Sequence, residues 1–170
     1  MATSAEVRGS RRTPGPWALA AALSLLLAAC SSLTPLPRDQ AVHLASGQGL
    51  AALMIDTLDP LTDVEVASRS GGPKLRVAAV PVGISIYLFQ VPAGTYCMTR
   101  FKYGTMSLSG ASGVLGCFAV RAGDISYSGT LAPRVEEGKP ITHQVQDPEG
   151  FRILLTQQYP QVAREFAPGP

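Results

Sequence analysis

Residues 125–131, Ile-Ser-Tyr-Ser-Gly-Thr-Leu, put the tightest limit on what this chain can fold into. The pattern places Ile125, Tyr127 and Leu131 on one face and Ser126, Ser128 and Thr130 on the other. A period of two is the mark of a half-buried strand, because successive side chains of an extended backbone point to opposite faces. Six further runs fit the same grammar: 51–57, 64–68, 74–80, 84–91, 95–102 and 114–120. Val64 and Val66 alternate with Glu65 and Ala67. Leu75, Val77 and Ala79 alternate with Lys74, Arg76 and Ala78, and Ile84 to Val91 is β-branched and aromatic enough for a central strand. Short strands separated by frequent turns predict a mainly β fold, a single antiparallel β-sandwich of about seven strands.

The N-terminus follows a different rule. Arg8, Arg11 and Arg12 precede an apolar run from Trp17 to Ala29 in which only Ser24 is polar. That run is shorter than the roughly 20 residues a membrane span requires. A basic start, a short apolar core and a small-residue exit are the parts of a secretory signal. Thr13-Pro14-Gly15-Pro16 after the arginine pair favours general secretion over the twin-arginine route. Leu27-Ala28-Ala29-Cys30 resembles the lipobox of bacterial lipoproteins. The resemblance implies cleavage before Cys30 and lipid on its thiol, hence attachment to a membrane. Ser31, which is not aspartate, implies sorting to the outer membrane of a Gram-negative cell, with the domain facing the periplasm; the inner membrane and the cell surface are the other possible sites. An ordinary signal peptide with an incidental cysteine is the plainer alternative.

The expected organisation is a signal peptide over 1–29, a lipidated flexible tether over 30–49 and a β-sandwich domain over 50–170. Pro35, Pro37, Gly47 and Gly49 interrupt any regular pattern in the tether, and Arg38, Asp39 and Gln40 keep it wet. The chain carries 14 basic and 12 acidic residues. Three of the arginines and one glutamate lie in the signal, so residues 30–170 are formally neutral. Nothing in that balance points to nucleic acid.

Two turns share a spelling, Val91-Pro92-Ala93-Gly94 and Val120-Arg121-Ala122-Gly123, and both are expected to be hairpins. With their flanks, PAGTYCM and FAVRAGDISYSGTL, they resemble phrases of small envelope lipoproteins of unknown function with a prealbumin-like β-sandwich. The resemblance covers roughly residues 51–131. It implies a fold and an envelope location, and brings no catalytic residue with it.

The period changes near the C-terminus. Asp147-Pro148-Glu149 is a helix start, a capping acid followed by proline at the first helical position. Phe151, Leu154 and Leu155 then recur at helical spacing, and Pro160 must end or kink the helix. With Cys30 taken by lipid, Cys97 and Cys117 remain as a pair. In an antiparallel hairpin centred near Ser107, facing residues sum to 214, which sets these two cysteines opposite one another. A disulfide is therefore expected, with two buried free thiols as the alternative.

No linear catalytic signature is legible. Gly110-Ala111-Ser112-Gly113 approaches a nucleophile elbow, but Val114 stands where the last glycine belongs. Ser70-Gly71-Gly72-Pro73-Lys74 reads as a turn and not as an anion cradle. His143 lies near Asp147 and Glu149 in sequence, and Tyr87, Tyr96, Tyr103 and Tyr127 are candidates for a ligand platform or for the core. No metal site and no cofactor are expected. The sequence reads as a non-enzymatic, lipid-anchored envelope protein that binds a partner or supports envelope structure. A small periplasmic hydrolase and an accessory subunit of a secretion or efflux complex are the alternatives.

Overall fold

The computed structural model describes residues 32–110, 116–137 and 139–166. The lipobox, Cys30 and Ser112 lie outside the described residues. Two sheets pack face to face, and a pair of helices covers the outer face of one of them.

The first sheet holds β1 (Ser32–Leu33), β4 (Lys74–Val80), β3 (Leu61–Ser68) and β6 (Gly94–Tyr103) in that spatial order. The free edge of β6 is shared by β7 (Met106–Ser109) and β8 (Cys117–Val120). The second sheet runs β10 (Lys139–Val145), β9 (Ile125–Glu136), β2 (Gln48–Thr57) and β5 (Gly83–Pro92). Its β2 and β9 are parallel while its other pairs are antiparallel. The two helices are α1 (Pro148–Gln158) and α2 (Pro160–Phe166).

β2 explains why the layers form. Its even and odd positions are both apolar, so it can be buried on both faces. Ala51, Leu53 and Ile55 meet Val64, Val66, Leu75, Val77, Met98 and Phe101 of the first sheet. Leu50 and Ala52 face the opposite way, against Ile86, Leu88, Leu155, Tyr159 and Val162. α1 starts as expected: Asp147 Oδ1 accepts from Gly150 N at 2.9 Å, and Pro148 occupies the first turn. Tyr127 stacks on Phe151 with ring centroids 4.3 Å apart, fastening the helix to β9.

The sandwich, expected to be antiparallel, is mixed, because β1 runs parallel to β4 and β9 enters the second sheet at the same end as β2; three further expectations need correction. First, β9 does not keep one phase. Tyr127 lies opposite Ala52, but Thr130 lies opposite Met54, so β9 gains a residue as a bulge at Gly129, whose φ is 115°. Ile125 and Tyr127 therefore pack on the helix side, whereas Leu131 turns into the core between the sheets. Second, the two look-alike turns are not hairpins. Residues 91–94 carry the chain from β5 in the second sheet to β6 in the first, and 120–125 carry it back from β8 to β9. Each is an arch between layers, and both dock on the entry to β2: Ala93 N donates to Gly47 O at 2.9 Å and Gly123 N to Gln48 O at 2.8 Å.

Third, the stretch read as a flexible tether is held to the domain at several points, although most of residues 32–47 are exposed. Ser32 and Leu33 pair in parallel with Lys74 and Leu75. Leu36 N donates to Leu88 O at 2.8 Å, and Val42 is only 2 % exposed, in contact with the helices' apolar cluster. Residues 32–47 form a strap across the open side of the sandwich. A few apolar residues among many polar ones suffice for this: Leu33 packs on the core between the sheets, and Leu36, Val42 and Leu44 join the cluster on the helix side.

Candidate functional site

Most connections between strands fall into two groups, at opposite ends of the sandwich. One end of the sandwich carries the arches, the entry to β2 and the 69–73 turn. The other carries the β2–β3, β4–β5, β6–β7 and β9–β10 connections. A cleft of about 470 Å³ opens at this second end.

Its lining comes from Thr57 to Asp59 after β2, Tyr103 at the end of β6, and Pro133 to Glu136 with His143 in the β9–β10 hairpin. Tyr103 OH donates to Asp59 Oδ2 at 2.6 Å. That bond to a carboxylate, with some burial, pushes the Tyr103 phenol above its ordinary pKa. Thr57 Oγ1 donates to Asp59 O at 2.6 Å. Arg134 reaches back to the end of β2, donating from Nη1 to Asp56 O at 2.9 Å and from Nη2 to Asp56 Oδ2 at 3.3 Å. His143 Nε2 lies 3.2 Å from Glu136 Oε1 across the β9–β10 hairpin. The polar groups of the cleft thus hold one another and stiffen its walls. Around the same end stand four large apolar side chains in water: Leu58 (68 % exposed), Val82 (61 %), Ile84 and Met106.

The outer face of the first sheet carries a second charged feature. Asp63 binds Arg76 and Lys102, the latter at 2.6 Å. Glu65 binds Lys74 at 2.9 Å and Arg100 at 3.3 Å. Lys102 and Arg76 hold the Asp63 carboxyl at a pKa of about 2. Burial works to raise Glu65, but Lys74, Thr99 and Arg100 outweigh it and leave it below the ordinary glutamate value. This network ties β3, β4 and β6 together, although the buried Arg100 Nε has no hydrogen-bond partner among the described residues.

The residues singled out in the sequence have separate fates. Cys97 and Cys117 are disulfide-bonded with Cα atoms 4.0 Å apart, and they face one another across β6 and β8. The expected register is correct there, but β7 takes the tight hairpin, with Tyr103 opposite Met106. His143 pairs with Glu136 rather than with Asp147 or Glu149. The four tyrosines form no common platform. Tyr87 OH donates to Ala79 O, Tyr96 OH to Pro92 O, Tyr103 OH to Asp59, and Tyr127 OH reaches Asp147 O. Asp59, Arg134 and Glu136 escaped the sequence reading, since a lone charge beside a turn looks like any solvated residue. Among the described residues, no group of three or more His, Cys, Asp or Glu side chains is placed to hold a metal, and no helix is long and apolar enough to cross a membrane.

Comparison of the chain with protein-family models, with curated proteins and with solved structures finds no match.

Proposed function

We propose that this chain is a lipid-anchored envelope protein, held to the outer membrane through Cys30, which acts by binding a protein partner at the cleft-bearing end of its sandwich. The observation that carries the binding reading is the coincidence of the 470 Å³ cleft with Leu58, Val82, Ile84 and Met106 at one end of the molecule. Exposed apolar groups gathered around a concave, polar-lined surface suit a protein interface, where an apolar centre is rimmed by polar contacts. The Cys97–Cys117 bond supports an oxidising compartment. The lipobox-like spelling supports the anchor, and the two packed sheets support a sandwich of the prealbumin-like kind.

One observation favours the hydrolase alternative: His143 and Glu136 stand together in the cleft wall as a base and its orienting carboxylate would. Thr57 does not complete that set, because its hydroxyl donates to the Asp59 carbonyl.

Two experiments test the proposal. Palmitate labelling and membrane fractionation should both be lost in Cys30→Ala; unchanged labelling refutes the anchor. A photo-reactive residue at Leu58 should crosslink one envelope protein in cells, and Val82→Asp should abolish that product. A photo-reactive residue at Ile153, exposed on α1 away from the cleft, should yield none of it. Turnover of an ester, peptide, phosphate or glycoside substrate that is abolished by His143→Ala would replace the binding reading with the hydrolase.

A further inference from the structure

We infer that the arch-bearing end of the sandwich, with Arg69, Lys74 and Arg121, rests on the anionic headgroup surface of the anchoring bilayer, so that the cleft faces away from the membrane. This rests on the reading that Cys30 is lipidated.

The first support is covalent. Ser32 is paired with Lys74 at the arch end, where β4 begins. Only one residue separates Ser32 from Cys30, so their Cα atoms lie within about 7 Å even when the chain is fully extended. A long tether would leave the domain free to tumble above the bilayer. Here the strap that would have been the tether is folded onto the domain, from β1 through Leu36 to Val42. The lipid is therefore attached almost directly to the corner of the first sheet.

The second support is charge. Arg69 and Arg121 are exposed, and neither makes an ion pair with a described residue. Lys74 stands beside them, more than half exposed although it reaches Glu65. Asp124 lies within the second arch and offsets one of these charges, with its Oδ1 accepting from the Ile125 amide at 2.7 Å. The opposite end gathers Asp56, Asp59, Glu136 and Glu137 against Arg134 and Lys139, the last at the start of β10. Although residues 30–170 are formally neutral, charge is separated along the strand axis. A basic residue near an anionic leaflet gains about fivefold in surface affinity, and the effect fades within about 8–10 Å. β6 runs for 10 residues between the two ends, roughly 33 Å. The field of the headgroups therefore acts on the arches and not on the cleft.

The orientation is tested on the lipidated full-length protein in vesicles of phosphatidylglycerol and phosphatidylethanolamine that carry a nitroxide on a fraction of the headgroups. A fluorescent amino acid is placed at Ala122 in the second arch or at Thr105 in the β6–β7 turn, both exposed. Quenching should be strong at Ala122 and near zero at Thr105. Arg69→Gln with Arg121→Gln should weaken the preference about 25-fold and level the two signals, while the protein stays in the membrane fraction. Equal quenching in the parent protein, or stronger quenching at Thr105, overturns the orientation. Palmitate labelling of the same preparation separates the two claims. Label with level quenching overturns the orientation alone, whereas absence of label overturns the anchor and the orientation with it.

Discussion

Gly49→Ala adds one methyl group at the point where β2 enters the second sheet beneath the 120–125 arch. An ideal Cβ there would lie 1.9 Å from the Arg121 carbonyl oxygen, 3.0 Å from its carbon and 3.1 Å from the Asp124 oxygen. All three are backbone atoms, so no side chain can swing aside. The arch must retreat by more than about 1 Å to reach ordinary contact, which exceeds the roughly 0.5 Å spread of N–H···O distances. That retreat breaks two bonds that hold it, Gly123 N to Gln48 O at 2.8 Å and Leu50 N to Asp124 O at 2.9 Å. Each contributes about 1 kcal/mol, and forced displacement of a packed segment costs about 1–3 kcal/mol more. The expected loss is about 3–5 kcal/mol. Gly47→Ala is the control: its φ is 79° but nothing lies within 4 Å of a Cβ there, so only the left-handed backbone is penalised, by about 1–2 kcal/mol. Urea unfolding of the oxidised proteins should place the Gly49→Ala midpoint about 2 M below the parent. If Gly49→Ala loses no more than Gly47→Ala, the close docking of the arch on β2 is wrong.

Joint replacement of Cys97 and Cys117 by alanine opens a crosslink of sequence separation 20 and should cost about 3 kcal/mol; free alkylation of both thiols in the unreduced, denatured parent would contradict the bond. Asp63 has a folded pKa of about 2, below the unfolded value of about 3.9, so its contribution to stability is present above about pH 4 and is lost as pH falls towards 2. Asp63→Asn should remove that part of the acid limb, and parallel urea-midpoint profiles from pH 2 to 5 for parent and variant would refute it. Val42→Ala removes buried methyl groups from the strap and should cost about 2 kcal/mol by thermal or urea unfolding, while a chain begun at Leu50 should lose cooperative unfolding. A strap that merely lay on the surface would make both changes neutral.

Most of the local structure was legible in the chain. The pattern of extended runs announced seven strands but not β1, β7 or β10, Asp147-Pro148 announced the start of α1, and the arithmetic of register set Cys97 opposite Cys117. These follow from interactions between near neighbours, or from a single pairing whose ends the sequence marks. What a period of two leaves open is the layer that each face meets. Val91 to Gly94 and Val120 to Gly123 are spelled as turns, yet only the pairing of β5 with β2 and of β8 with β6 makes them arches between sheets. Gly129 is one glycine among many until β2 lies beside β9. The bulge then sends Tyr127 to the helices and Leu131 to the central core.

The strap and the cleft lie furthest beyond the reach of sequence. Proline, glycine and charge describe residues 32–47 as a wet linker, because composition averages over the segment. Burial is decided residue by residue, by the cluster that Leu33, Leu36 and Val42 each join once both sheets exist. The cleft joins Asp59, Tyr103, Glu136 and His143 from three separated stretches of chain. No spacing rule connects such residues. The chain by itself determined which segments extend, which coil and which cysteines meet; assembly of the layers decided where one end of the sandwich would open and which side chains would line it.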